Sequence, residues 1–309
     1  MNDTKNTQNP KNSTNITIKS KILGIFEIIR PLNSFLACMG IIVGCMSVME
    51  LTEFQENIIP IFLAALATAL IAAGGYVVND YYDAEGDRVN HPNRPIPSGK
   101  ISELQAHLVS IILFLVGFAV SLLIQSEIPF LPPFLALFGV FSLYGYAWGF
   151  KKGILGNILI SLLVVVPFLY GGIIAGAIER SVFAISMAFL INVSRELIKD
   201  VEDIEGDKGV KTTLPMYIGI KPTVRITQLM LILIIVISPV VMFIEFFQAW
   251  GTYLMVIILD LLTIYTFLTI WGSDEEKLKE KSTRAKKVMK AMMGVGVLCL
   301  LLAPFTPIN

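Results

Sequence analysis

Charge is scarce in this chain. Of its 309 residues only 16% are Asp, Glu, Lys or Arg, and 24 acidic residues cancel 24 basic ones to a formal net charge of zero. No whole-molecule field is left to draw in nucleic acid or an acidic protein, so neither is an expected partner. Histidine is scarcer still: His91 and His107 alone do not make a zinc or haem set. The three cysteines, Cys38, Cys45 and Cys299, stand singly in apolar stretches without ligand spacing and read as small buried hydrophobes. What fills the chain instead is apolar: 55% hydrophobic residues and a mean hydropathy of +0.72. That combination excludes an ordinary water-soluble domain and points to a polytopic membrane protein in a lipid bilayer.

A spanning helix needs roughly 20 apolar residues. Nine stretches qualify: 31–49, 57–79, 104–124, 128–150, 154–178, 182–199, 226–247, 249–271 and 288–304. The expected fold is therefore all-α, nine transmembrane helices around a central cavity with a cap on one face. Residues 1–20 are polar, lack an apolar middle region, and read as a disordered tail before a single domain at 21–309.

The few cations are unevenly placed. With those nine spans, 23 of the 24 Lys and Arg residues fall on one side, and only Arg180 falls on the other. The positive-inside rule makes the crowded side cytoplasmic, with the N-terminus inside and the C-terminus outside.

Two acidic clusters lie on that side. Asn79-Asp80-x-x-Asp83-x-x-x-Asp87 follows the second span, and Asp200-x-x-Asp203-x-x-x-Asp207 follows the sixth, each closing on Glu-Gly-Asp. Steps of three and four put such carboxylates on one helix face. Like charges stacked that closely need a cation, and carboxylate and amide oxygens are hard donors suited to Mg²⁺. A single copy would read equally well as a solvated helix end; two copies in matching register favour a Mg²⁺–diphosphate site built from two halves. The sixth span supports this, because its charge-free stretch Val182–Val193 is only 12 residues, or roughly 18 Å. To cross a membrane it must continue through Arg195, Glu196 and Lys199, charges that then face protein or water.

Cations interleave with the acids: Arg88 and Arg94 near the first copy, Arg195, Lys199, Lys208 and Lys211 near the second. Cations aimed at a departing diphosphate would stabilise it. Arg30 and Asn33 open the first span, and Lys151 and Lys152 join the fourth and fifth, adding phosphate-binding candidates. Asn157 reads first as an interhelical hydrogen bond, and Asp260 as a costly lone carboxyl with no partner visible. The loops at 80–103 and 200–225 are long enough to cap a site, with Pro92, Pro95, Pro97, Pro215 and Pro222 expected to break any helix there. Tyr76, Tyr81, Tyr82, Tyr144, Tyr146, Trp148 and Tyr170 could shield an allylic cation or form an interface belt.

At these residues the chain resembles the UbiA-type superfamily of intramembrane prenyltransferases. The blocks Asn79–Asp83, Asn93–Gly99, Arg195–Lys208 and Lys211–Pro215 carry the likeness, the second half looking most like the archaeal members that act on geranylgeranylglyceryl phosphate. The resemblance implies Mg²⁺ held by Asn79, Asp80, Asp83, Asp87, Asp200, Asp203 and Asp207, with Asp83, Asp87, Asp203, Asp207 and Lys199 catalytic. It implies geranylgeranyl diphosphate as donor and geranylgeranylglyceryl phosphate as acceptor, and leaves self-association open. Many relatives have a tyrosine where this chain has Arg195, a departure that suits an acceptor bearing a phosphate. The rivals are a relative with an aromatic acceptor, for quinone or chlorophyll synthesis, and a cation transporter, which would place its acids near mid-bilayer.

Overall fold

The computed structural model describes residues 17–150, 153–205, 212–243, 250–272 and 274–302. Among them every regular element is helical. In chain order these are α1 (Ile18–Ile28), α2 (Pro31–Met46), α3 (Leu51–Glu56), α4 (Ile58–Tyr82), α5 (Ala84–Asn90), α6 (Glu103–Ser121), α7 (Leu131–Gly145), α8 (Gly153–Ile174), α9 (Ile178–Glu202), α10 (Leu214–Ile218), α11 (Ile220–Ile237), α12 (Trp250–Ile270) and α13 (Glu275–Leu302). A π-helical turn, Tyr146–Phe150, extends α7, and a 3₁₀ turn, Ser238–Phe243, extends α11.

Eight helical stretches are long and apolar enough to cross a membrane. Large apolar side chains such as Phe62, Phe141, Leu229 and Leu261 stand exposed on their outer faces. That much outward hydrocarbon makes sense against lipid, not water. The chain is a multi-pass membrane protein. The ninth expected span lies in α13, a helix whose first half is charged and whose Leu278, Ala285, Met289 and Met292 pack into the core of α9, α11 and α12; residues 303 and 304 lie outside the described residues.

Two boundaries differ from expectation and one holds, each for a local reason. Residues 17–20 of the expected tail are ordered, because Thr17 caps α1 by accepting a hydrogen bond from the Ser20 amide; residues 1–16 lie outside the described residues. The sixth span does run through its charges, as α9 continues to Glu202. Pro222 breaks nothing: it sits in the first turn of α11, where no intrahelical N–H is required, so that helix begins six residues before the expected 226.

The crossing of α2 and α8 organises the site. A Cβ on Gly40 would meet Pro167 Cγ at 3.4 Å, one on Gly44 would lie 2.2 Å from the Pro167 carbonyl oxygen, and one on Gly171 would lie 2.5 Å from the Gly44 carbonyl oxygen. Only glycine permits so close an approach. Both numberings climb together along the contact, so α2 and α8 run parallel and begin on the same face. Arg30, just ahead of α2, and Asn157, in the first turn of α8, each lie ten residues before the Gly40–Pro167 contact, a rise of roughly 15 Å. They stand level.

Candidate functional site: two acidic helix ends on one face

The first acidic end is held by arginine. α4 ends at Asp83, and the short α5 carries Asp87. Asp80, buried, receives Arg30 Nη2 at 2.5 Å, with Arg94 Nη1 at 3.7 Å; Arg94 also reaches buried Asp87 at 2.5 Å. Two carboxylates seven residues apart thus share one guanidinium brought back by the turns at 91–101. Asn79 Nδ2 donates to Asp83 Oδ2 at 3.0 Å, both half-buried.

Arg30 itself is strained. Its φ of 48° and ψ of 66° make it the one non-glycine among the described residues in the left-handed region. Residues before proline favour extended backbone, and such an outlier costs of order 1–3 kcal/mol unless its surroundings hold it. Here the Asp80 pair holds it, together with the Tyr76 ring, whose centroid lies 5.4 Å from the guanidinium carbon. The strain aims Arg30 inward over α4. Asn33, one turn on, is exposed.

At the second acidic end an amide meets the first aspartate. Asn157 on α8 donates to Asp200 Oδ2 at 2.7 Å, both groups buried. About two helical turns deeper, Asn192 Nδ2 donates to Ser161 Oγ at 3.0 Å, and Arg195 Nη2 donates to Asn192 Oδ1 at 3.3 Å. Arg195 also pairs with Glu196, whose other oxygen lies 3.5 Å from Lys199 Nζ. Asp203 caps α9, half-buried. The end of α9 is further tied to α13, where Lys286 pairs with Glu202, Thr283 donates to Glu202 at 3.0 Å and Lys279 meets Glu205 at 2.7 Å. Asp207, Lys208, Lys211, Lys151 and Lys152 lie outside the described residues, although the bond from Gly153 N to Thr212 O at 2.7 Å ties the start of α8 to the segment after the second motif.

Several expectations are redirected. Arg88 stands exposed and pairs with Glu103 at 2.6 Å, so the structure does not bring it to the aspartates. Asp260 has a partner after all, the Ser238 hydroxyl at 2.8 Å. Of the aromatics, Tyr76 lies under Arg30, the Tyr82 hydroxyl donates to that of Tyr144 at 3.2 Å, and Trp148 is exposed. Asn192 and Ser161 were missed, though Asn192 is a lone amide in an apolar span, the same signal that marked Asn157.

Among the described residues no three His, Cys, Asp or Glu side chains form a ready-made metal cage. Mg²⁺ does not demand one: it is held by one or two carboxylates, with waters and substrate phosphates completing the shell. Hard oxygens from Asn79 and Asp83 at one end and Asp200 and Asp203 at the other, with Arg30 and Arg195 nearby, fit that chemistry.

A polytopic all-helical bundle with twin acidic helix ends on one face defines the class. The model of the UbiA prenyltransferase family matches residues 38–302, and the chain belongs to that family. It is 34% identical over 282 residues to digeranylgeranylglyceryl phosphate synthase of Saccharolobus solfataricus, covering 89% of this chain and 95% of the relative. A solved structure concerning digeranylgeranylglyceryl phosphate synthase in membranes superposes with a TM-score of 0.80 at 30% identity, covering 92% of this chain and 99% of the other. A UbiA homolog from Archaeoglobus fulgidus bound to DMAPP and Mg²⁺ shares the fold, with a TM-score of 0.62 at 18% identity over 88% of this chain and 99% of that one.

Proposed function

We infer that this chain transfers a geranylgeranyl group from geranylgeranyl diphosphate to the sn-2 hydroxyl of geranylgeranylglyceryl phosphate, making the second ether bond of an archaeal lipid. The observation that carries this reading is the level placement of the two acidic ends, combined with relatives that bear that enzyme's name over most of the chain. In the reaction the bond between the allylic carbon and diphosphate breaks. The same carbon then bonds the sn-2 oxygen, and the hydroxyl proton leaves to solvent.

Asn79, Asp83, Asp200, Asp203 and Asp207 are the residues that would hold Mg²⁺, while Asp80 and Asp87, expected in the same set, are taken up by Arg30 and Arg94. A bound Mg²⁺ supplies positive charge to the departing diphosphate. Arg94, Lys199 and the basic residues of the second motif add donors to the same oxygens. The Tyr76 ring, beneath Arg30, adds an aromatic group that would shield the allylic cation. Asn157 fixes the orientation of Asp200. The face bearing both motifs is cytoplasmic, with the N-terminus on that side.

Purified protein given geranylgeranyl diphosphate and a panel of acceptors, with products read by mass spectrometry, tests this directly. A doubly prenylated glyceryl phosphate, lost on chelating Mg²⁺, is expected; prenylated naphthoate, benzoate or chlorophyllide with no lipid product would overturn the assignment.

A further inference from the structure

Two apolar cavities flank the α2–α8 crossing. One, of ≈ 410 Å³, lies among α2, α4, α7 and α8. The other, of ≈ 330 Å³, lies among α2, α8, α9, α12 and α13. Leu36, Gly40, Val164 and Pro167 line both, so the crossing itself is the partition. Each volume is near the lower end of the roughly 300–1,000 Å³ range of pockets for a single ligand.

The cavities end beneath different chemistry. The first rises along α4 to Tyr76, one helical turn short of Asp80 and under Arg30. The second rises along α9 to Ile191, one turn short of Arg195. Arg195 Nε is buried and has no hydrogen-bond partner among the described residues, a donor that is costly to leave unmet. The first cavity follows α8 from Ile160 to Tyr170, roughly 15 Å, and the second follows α9 from Phe183 to Ile191, roughly 12 Å, at 1.5 Å per residue. An isoprene unit of four backbone carbons, with C–C bonds of ~1.5 Å, extends by roughly 5 Å. At that length the first cavity takes about three units and the second roughly two and a half, leaving the rest of each tail beside its head group.

We propose that the two cavities hold two polyisoprenoid tails apart: the donor's under the first motif, and the acceptor's under Arg195, which gives its unpartnered Nε to the acceptor phosphate. This rests on the function inferred above. A partition keeps two chemically identical tails from competing for one chamber, while the heads meet above it at the level of Arg30 and Asn157. A small aromatic acceptor has no use for the second cavity.

Two glycines make the test clean. A Cβ at Gly139, in the first cavity, would meet only Ile71 Cγ2 at 3.5 Å, and a Cβ at Gly296, in the second, would meet nothing within 4 Å. Gly139→Phe is expected to raise the KM for the C20 donor relative to a C10 donor by about tenfold, with acceptor KM unchanged. Gly296→Phe is expected to raise the KM for geranylgeranylglyceryl phosphate by about tenfold, near 1.4 kcal/mol, with donor KM unchanged. Gly139→Leu and Gly296→Leu give graded versions, used in place of any Phe variant that melts below wild type. Both changes acting on one substrate, or neither acting in protein that melts as wild type, overturns the proposal. If wild type makes no product from this acceptor, the function reading fails instead. Binding then decides the cavities: simultaneous occupancy by labelled geranylgeranyl diphosphate and geranylgeranylglyceryl phosphate supports two chambers, and mutual displacement refutes them.

Discussion

The two acidic ends share a spacing and differ in how they are held. At the end of α4, Asp80 and Asp87 are neutralised by Arg30 and Arg94, cations from outside the helix that carries the acids. At the end of α9, Asp200 receives a neutral amide from Asn157, and Arg195, Lys286 and Lys279 pair with Glu196, Glu202 and Glu205. A guanidinium lowers the cost of a buried carboxylate by supplying charge; an amide orients the carboxylate without cancelling it. The first end is thus a charge-balanced scaffold from which Asn79 and Asp83 project. At the second, the Asn157 amide orients Asp200 from a neighbouring helix.

Substitutions that confuse these two modes break the comparison, and the largest effect belongs to the first end. Arg94→Ala strands Asp87 and weakens the clamp on Asp80, so turnover should fall about a hundredfold. Thermal melts in detergent should show a loss of about 2 kcal/mol, less than for a wholly buried pair because Arg94 is a third exposed. At the second end Asn157→Leu removes orientation but no charge, and a fall in kcat of roughly tenfold with little change in melting is expected. Lys286→Ala loosens the tie between α9 and α13 and should cost less than about 1 kcal/mol. Arg88→Ala, despite its place beside Asp87 in sequence, should leave turnover and stability within about 0.5 kcal/mol of wild type; a large loss of turnover would mean that Arg88 swings inward during the reaction.

Arg88 and Arg94 also show where sequence reading stops. Both follow the first motif at short range, and composition favours neither. On a helix, however, the residue after Asp87 points about 100° away, which sends Arg88 to Glu103, whereas the proline-rich turns after α5 fold Arg94 back over the aspartates. The helical bundle, the acidic spacing and the continuation of α9 through its charges were legible, because each is a matter of local period or of membrane thickness. Pro222 misled because a proline that ends one helix and a proline that begins the next look alike without the backbone. The partner of Asp260 is 22 residues away in a 3₁₀ turn, and the paired cavities are walled by helices far apart in the chain. Neither has a local signature.

If both acidic ends grip one Mg²⁺–diphosphate unit, a double-mutant cycle on Mg²⁺-dependent binding of geranylgeranyl diphosphate will show it. Asp83→Ala and Asp203→Ala should each remove the Mg²⁺-dependent part of binding, and the double variant should lose no more than either alone, the signature of groups acting on a shared ion. Losses that simply add, or one single variant that keeps its Mg²⁺ dependence, would contradict it.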